Sequence, residues 1–149
     1  MNYDHPETEP LIAGKSIATW DKKWVELPGG FSVPHRSLKG MAGLFRAVEN
    51  GATVVIGKGA GRWENRLYAR LGDLRREGDS GRTYDSGRFI HANMDRLKLQ
   101  VIVIGDDQEA CDTADKLLRP MLILHRPREN APIAIVDQAI QAAYEKRVG

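Results

Sequence analysis

Three arginines recur every fourth residue in the middle of the chain, at Arg62, Arg66 and Arg70. Residues four apart are neighbours on the surface of an α-helix, so these side chains would line one side of a helix. A guanidinium group presents its hydrogen-bond donors in a planar fork that matches phosphate oxygens. The spacing therefore predicts a helix that binds a polyanion. Nucleic acid is the first candidate, and an ordinary solvated face is the alternative.

A glycine-rich segment at residues 57–61 precedes this helix. The N-terminus of a helix attracts anions because its first backbone N–H groups lack partners within the helix and its dipole is positive there. Gly57 and Lys58 are therefore candidates for contact with phosphate. A dinucleotide-binding fingerprint would have a third glycine where this chain has Arg62, so the segment does not indicate a nucleotide cofactor.

Apolar periodicity and turn residues indicate the elements that must position these groups. We predict strands at residues 24–27, 31–33, 41–48, 52–57 and 97–104, and helices at residues 62–77, 108–124 and 134–147. Asn50-Gly51 between two apolar runs is a strong hairpin signal, and Asp106 or Asp107 would cap the second helix. The pattern predicts an α+β fold with a small central, mainly antiparallel sheet flanked by helices.

Length and composition exclude several classes of protein. The 149 residues fit one domain, and contents of 42% hydrophobic and 28% charged residues are typical of globular chains. We expect an N-terminal arm with an extra hairpin over residues 1–39 and the main domain over residues 40–149. The lone Cys111 excludes a disulfide framework, and no apolar run approaches the length of a membrane span. The polar, acidic first ten residues are unlike a secretory signal, so we expect a cytoplasmic protein without a membrane partner.

Two apolar triplets in the predicted hairpin resemble the signature of the GIY-YIG nuclease superfamily. Residues 43–45 read Gly-Leu-Phe and residues 55–57 read Val-Ile-Gly, where the family has Gly-Ile-Tyr and Tyr-Ile-Gly. An arginine follows in the family, and Arg66 precedes Leu67 as in its habitual Arg-Leu pair. The resemblance covers residues 40–132 and implies a GIY-YIG-like fold.

The same resemblance implies a set of site residues. Asp115 stands where the family has a glutamate that binds one divalent metal, which implies Mg²⁺ as a cofactor of an active enzyme. Asn130 stands where an asparagine follows a proline, here Pro127. The implied catalytic residues are Lys58, Arg66, Arg70 and Asn130, and the implied nucleic-acid contacts are Gly57, Lys58, Arg62, Arg66 and Arg70.

The chain departs from the family at both signature tyrosines, which are Phe45 and Val55 here. One tyrosine of the family positions or deprotonates the attacking water, and neither a phenyl ring nor an isopropyl group can take a proton. Two nucleic-acid hypotheses remain open. The chain is either a Mg²⁺-dependent DNA phosphodiesterase that uses Lys58 or a water chain as its base, or a DNA-binding protein that has lost cleavage. The alternative is a catalytically inert interaction module of phage or mobile-element origin, with a protein partner or a second copy of itself.

Overall fold

Four α-helices, two 3₁₀ turns and four strands make up the part of the chain that the computed structural model describes, which is residues 11–61, 66–76 and 85–130. In chain order the elements are α1 (Ile17–Asp21), β1 (Val25–Glu26), two 3₁₀ turns (Gly30–Ser32 and Arg36–Leu38), β2 (Ala42–Glu49), β3 (Ala52–Gly59), α2 (Arg66–Arg75), α3 (Asp85–Ala92), β4 (Lys98–Gly105) and α4 (Gln108–His125). The helix predicted at residues 134–147 lies outside the described residues, as does Arg62. Within the described ranges, no helix is long and apolar enough to cross a membrane.

The four strands form one sheet in the order β1-β4-β2-β3, and each neighbouring pair is antiparallel. The central strand is β2, in which Phe45 lies opposite Gly57 of β3 and Val101 of β4. The predicted α+β class, with a mainly antiparallel sheet flanked by helices, is confirmed.

The hairpin between β2 and β3 turns where the sequence predicts it. Asn50 and Gly51 have φ values of 52° and 79°, the positive angles that a two-residue turn between right-twisted strands requires. Glycine adopts this conformation readily because it has no Cβ atom, and asparagine tolerates it better than most residues. Strand β3 continues to Gly59, two residues beyond the predicted end.

Alternating side chains divide the core between the two faces of the sheet. The Phe45 face, which carries Phe45, Ala47, Val55, Leu99 and Val101, packs against Leu67, Leu71 and Leu74 of α2 and Ile90 of α3. The Leu44 face, which carries Leu44, Ile56 and Ile102, packs against Ala114, Leu117 and Met121 of α4. The domain therefore has three layers, with the sheet between α2 and α3 on one side and α4 on the other.

The residues before the hairpin contribute to the same core. Trp20 of α1 packs on the Leu44 face, whereas Phe31 and Leu38 pack on the Phe45 face. A 3₁₀ turn stands where the sequence predicts a strand at residues 31–33, because the Gly30 N–H donates back to the Leu27 carbonyl and closes a turn. This turn places the Phe31 ring edge-on to Phe45, with 6.4 Å between the ring centroids.

Helix α4 begins and ends with the caps that its sequence provides. The Asp107 carboxylate accepts a hydrogen bond from the Ala110 N–H at 2.8 Å, so Asp107, one of the two predicted residues, is the N-cap. At the other end Arg126 adopts a left-handed conformation with φ 43°, and its N–H donates to the Leu122 carbonyl at 2.9 Å. These caps fix the helix that carries Asp115 across the Leu44 face.

Candidate nucleic-acid interface

Lys58 and Asp115 meet on the Leu44 side of the sheet. Lys58 lies on β3, and its ammonium group donates a hydrogen bond to Asp115 Oδ1 on α4. The two side chains are 38% and 43% exposed. An ion pair with this exposure contributes at most about 1 kcal/mol to folding. The structure therefore brings two of the predicted site residues together, but as partners of one another.

A divalent metal ion fits this pair poorly. The Asp115 carboxylate already accepts a hydrogen bond from a positively charged group, which would repel an incoming cation. Among the described residues, no group of three or more His, Cys, Asp or Glu side chains could hold a metal ion. Lys58 is also badly placed as a base, because an ammonium group that donates to a carboxylate carries the proton that a general base must lack.

Asn130 does not take part in this ion pair, because its side-chain amide is hydrogen-bonded to the main chain of β3. Its Oδ1 accepts from the Ile56 N–H at 2.8 Å, and its Nδ2 donates to the Ile56 carbonyl at 2.9 Å. The neighbouring Glu129 N–H donates to the Val54 carbonyl at 3.0 Å. The amide thus completes the outer edge of the sheet, and both of its polar ends are occupied.

We expect Asn130→Asp to lower the free energy of unfolding by about 1–3 kcal/mol. The aspartate can still accept from the Ile56 N–H, but it cannot donate to the Ile56 carbonyl and sets a negative oxygen against it. Urea denaturation measures the loss. Asn50→Asp is the matched control, because Asn50 is exposed and Asp-Gly also suits this turn. Equal losses in the two variants would show that the Asn130 bonds contribute nothing to folding.

Arg66 lies in the first turn of the described part of α2, on the Phe45 side of the sheet. Its Nη1 donates to the Gly40 carbonyl at 3.0 Å, and its Nε is buried without a hydrogen-bond partner among the described residues. Arg70 follows one turn later and is half-buried. Two of the three predicted arginines, Arg66 and Arg70, therefore lie one turn apart on α2, with Arg66 held against the chain that leads into β2.

The sheet separates this arginine from the acidic residue with which it was predicted to act. Helix α2 packs on the Phe45 face and α4 on the Leu44 face. Within the described ranges, no hydrogen bond or ion pair joins Arg66 to Lys58 or Asp115. The structure does not bring Arg66 into contact with Asp115.

Both positions that correspond to the signature tyrosines are sealed in the core. Phe45 is 1% exposed and Val55 is 2% exposed. The Phe45 ring also covers Gly57, since a Cβ added there would lie 2.3 Å from Phe45 Cζ. Phe45 and Val55 therefore act in packing, and neither side chain presents a polar group to a substrate.

Folding adds two basic residues to the arginines of α2. The Leu67 N–H donates to the Met41 carbonyl at 3.0 Å, which fixes α2 against the turn before β2. The Lys39 ammonium lies 5.2 Å from the centroid of the Tyr68 ring, within the range of a cation–π contact. Arg36 and Lys39 are both exposed. Arg36 precedes the first residue of α2, Arg66, by 30 positions and Lys39 precedes it by 27, so no spacing rule could have linked them to the arginines of this helix.

We name the combined set the α2 basic surface. Its members are Arg36, Lys39, Arg66, Arg70, Arg75 and Arg76. Residues 36–40 and 66–76 hold these six basic side chains and one acidic side chain, Asp73, which lies 3.4 Å from Arg76 Nη2. A surface with this excess of positive charge attracts a polyanion.

Comparisons of the chain with protein-family models, with curated proteins and with solved structures found no match. The contacts and charges of the described residues are therefore the basis on which a function can be proposed.

Proposed function

We propose that this chain is a DNA-binding domain that does not cleave DNA, and that the α2 basic surface is its interface. The observation that carries the proposal is that the Arg36–Leu38 turn packs against α2. Among the described residues, the segments 36–40 and 66–76 thereby bring six basic side chains together with one acidic side chain. Cations in such an array displace the counterions condensed on nucleic acid, and this release supplies most of the free energy of non-specific binding. The half-buried Tyr68 lies beneath Lys39 and supports that side chain at the surface.

Three features favour binding without hydrolysis. The positions of the signature tyrosines are filled by buried apolar side chains. Lys58 is paired with Asp115, so neither group is placed to serve as a base or as a metal ligand. The arginines lie on the opposite side of the sheet from that pair. A phosphodiesterase needs a base, a group that stabilises the phosphoryl charge and a leaving-group activator around one phosphate, and these residues are dispersed.

Replacing Arg36 and Lys39 together by glutamine should weaken DNA binding by about fivefold or more at low salt. Each lost phosphate contact should also reduce the slope of log K against log salt by about 1. Fluorescence anisotropy with a labelled oligonucleotide measures both quantities. The matched control is Lys22→Gln with Lys23→Gln, which removes the same charge from exposed residues beside α1, on the other side of the sheet.

The comparison of the two double variants tests whether DNA binds at the α2 basic surface. Equal effects of the two double variants would show that DNA responds only to net charge and would refute this surface. If the unaltered protein shows no salt-sensitive binding at all, the interaction module becomes the better hypothesis. If it nicks plasmid DNA in Mg²⁺ or Mn²⁺ and Asp115→Ala abolishes the nicking, the nuclease hypothesis replaces ours.

A further inference from the structure

A groove of about 750 Å³ opens beside the β2–β3 turn, away from the α2 basic surface. Its floor belongs to the Leu44 side of the sheet, where Arg46 of β2 lies opposite Gln100 of β4 in the strand register. Thr53, Arg96 and Lys98 also line it. A charged residue and an amide stand here in the middle of otherwise apolar strands, which requires a physical reason because buried polar groups are costly unless they are partnered.

The Arg46 side chain is held rigidly in this floor. Its Nε donates to Gln100 Oε1 at 2.8 Å, and its Nη1 donates to Thr53 Oγ1 at 3.1 Å. The guanidinium carbon lies 4.5 Å from the centroid of the Trp24 ring. Both of these hydrogen-bond partners are neutral, and none of the described carboxylates is in direct contact with the guanidinium group.

The carboxylate that acts electrostatically on Arg46, that of Asp21, is already engaged with other partners. Asp21 Oδ1 accepts from Trp24 Nε1 at 2.9 Å and lies 2.6 Å from His125 Nε2. Burial lowers the pKa of Arg46, and the Asp21 carboxylate offsets this only in part. An anion in the groove would favour the charged guanidinium group that burial disfavours.

The rim of the groove adds a second cation. Lys98 is exposed and has no ion pair among the described residues, whereas Arg96 is bound to Glu49 at 3.1 Å. Arg46 and Lys98 are thus two positive groups available to one ligand, which suits a dianion. Glu26 also lines the groove, and its carboxylate can accept hydrogen bonds from hydroxyl groups.

We propose that this groove binds the phosphate monoester of a small polyol, at a site separate from the DNA interface. The phosphate would lie against Arg46 and Lys98, with the hydroxyl groups directed toward Glu26. A phosphate monoester carries close to two negative charges at neutral pH. The groove also has the size of typical small-ligand sites and exceeds what inorganic phosphate alone would fill.

Isothermal titration of the full chain with ribose 5-phosphate tests the proposal, with ribose as the uncharged counterpart. We expect saturable binding of the phosphate ester and none of ribose. Arg46→Gln should weaken the affinity by about tenfold or more, because a charge-assisted hydrogen bond is lost. Lys98→Gln, at an exposed position where folding is not at risk, should weaken it by about threefold. Lys116→Gln, an exposed change on α4 outside the groove, should leave it unchanged.

Two results would overturn the site. One is the absence of saturable binding at millimolar ribose 5-phosphate, and the other is an equal loss in Lys98→Gln and Lys116→Gln. DNA affinity provides an independent readout, since Arg46→Gln should leave it intact and the Arg36 and Lys39 double variant should leave ribose 5-phosphate binding intact. Failure of this proposal is therefore distinguishable from failure of the DNA interface.

Discussion

Phe45→Ala is expected to lower the free energy of unfolding by about 3–5 kcal/mol. The Phe45 ring is 1% exposed, packs edge-on against Phe31 and covers Gly57. Its removal leaves a cavity between the central strand and α2, and the surrounding backbone can collapse into that space only in part. The whole stability of a domain is about 5–15 kcal/mol, so this variant should lose a large share of it.

Urea denaturation followed by circular dichroism measures the loss, with Val103→Ala as the control. Val103 lies on β4 and is 46% exposed, so its truncation should cost less than about 1 kcal/mol. Similar midpoints for the two variants would show that Phe45 is not a packing residue, and a polar role for this position would then have to be reconsidered.

Gly59→Ala is expected to cost about 3 kcal/mol or more, because strand and helix backbones touch at this residue. An added Cβ would lie 2.4 Å from Leu67 Cα and 2.6 Å from Leu67 N. These are main-chain atoms, so no side-chain rotation can relieve the clash. Helix α2 would have to move away from β3 and take the arginines of the α2 basic surface with it. Both stability and DNA affinity should therefore fall.

Gly51→Ala is the matched glycine control. Among the described residues, no atom other than those of its chain neighbours lies within 4 Å of a Cβ added at Gly51. Its φ of 79° nevertheless imposes a backbone penalty of about 1 kcal/mol on alanine. A Gly59→Ala variant that is no less stable than Gly51→Ala would contradict the close approach of β3 and α2. Preserved DNA affinity in a folded Gly59→Ala variant would contradict the placement of the interface on α2.

Local signals in the sequence were sufficient for much of the fold. Asn50-Gly51 fixed the hairpin, the apolar run at residues 97–104 marked β4, and Asp107 marked the start of α4. Each is a short-range preference that the final packing did not override. Helix α3 was missed because its eight residues are too few to show a recurring apolar spacing, and most of them are polar or small. Ile90 of that helix packs in the core on the Phe45 face, and these tertiary contacts form only when the chain folds.

The candidate site was less predictable than the fold. The spacing of Arg66 and Arg70 indicated a basic helix, but Arg36 and Lys39 join it only through tertiary contacts. Lys58 and Asp115 are 57 residues apart, and the sequence could not show that they neutralise one another. Arg46 did leave a signal, since a charge within the apolar run of β2 needs a partner in the fold. The resemblance to the GIY-YIG superfamily stays a prediction, as do Mg²⁺ and the roles assigned on its basis.

The bonds from Asn130 and Glu129 to β3 also bear on how copies of this chain can associate. An exposed strand edge is a template on which another chain can add a strand, and proteins commonly guard such edges against aggregation. Here Glu129 and Asn130, which follow α4, bind main-chain groups of Val54 and Ile56 at one edge of the sheet. At the opposite edge, β1 pairs with Gln100 and Val101 of β4 and leaves Val103 exposed beyond them. Strand addition by a second copy should therefore begin at β4, and loss of the Asn130 bonds should open the β3 edge to the same process.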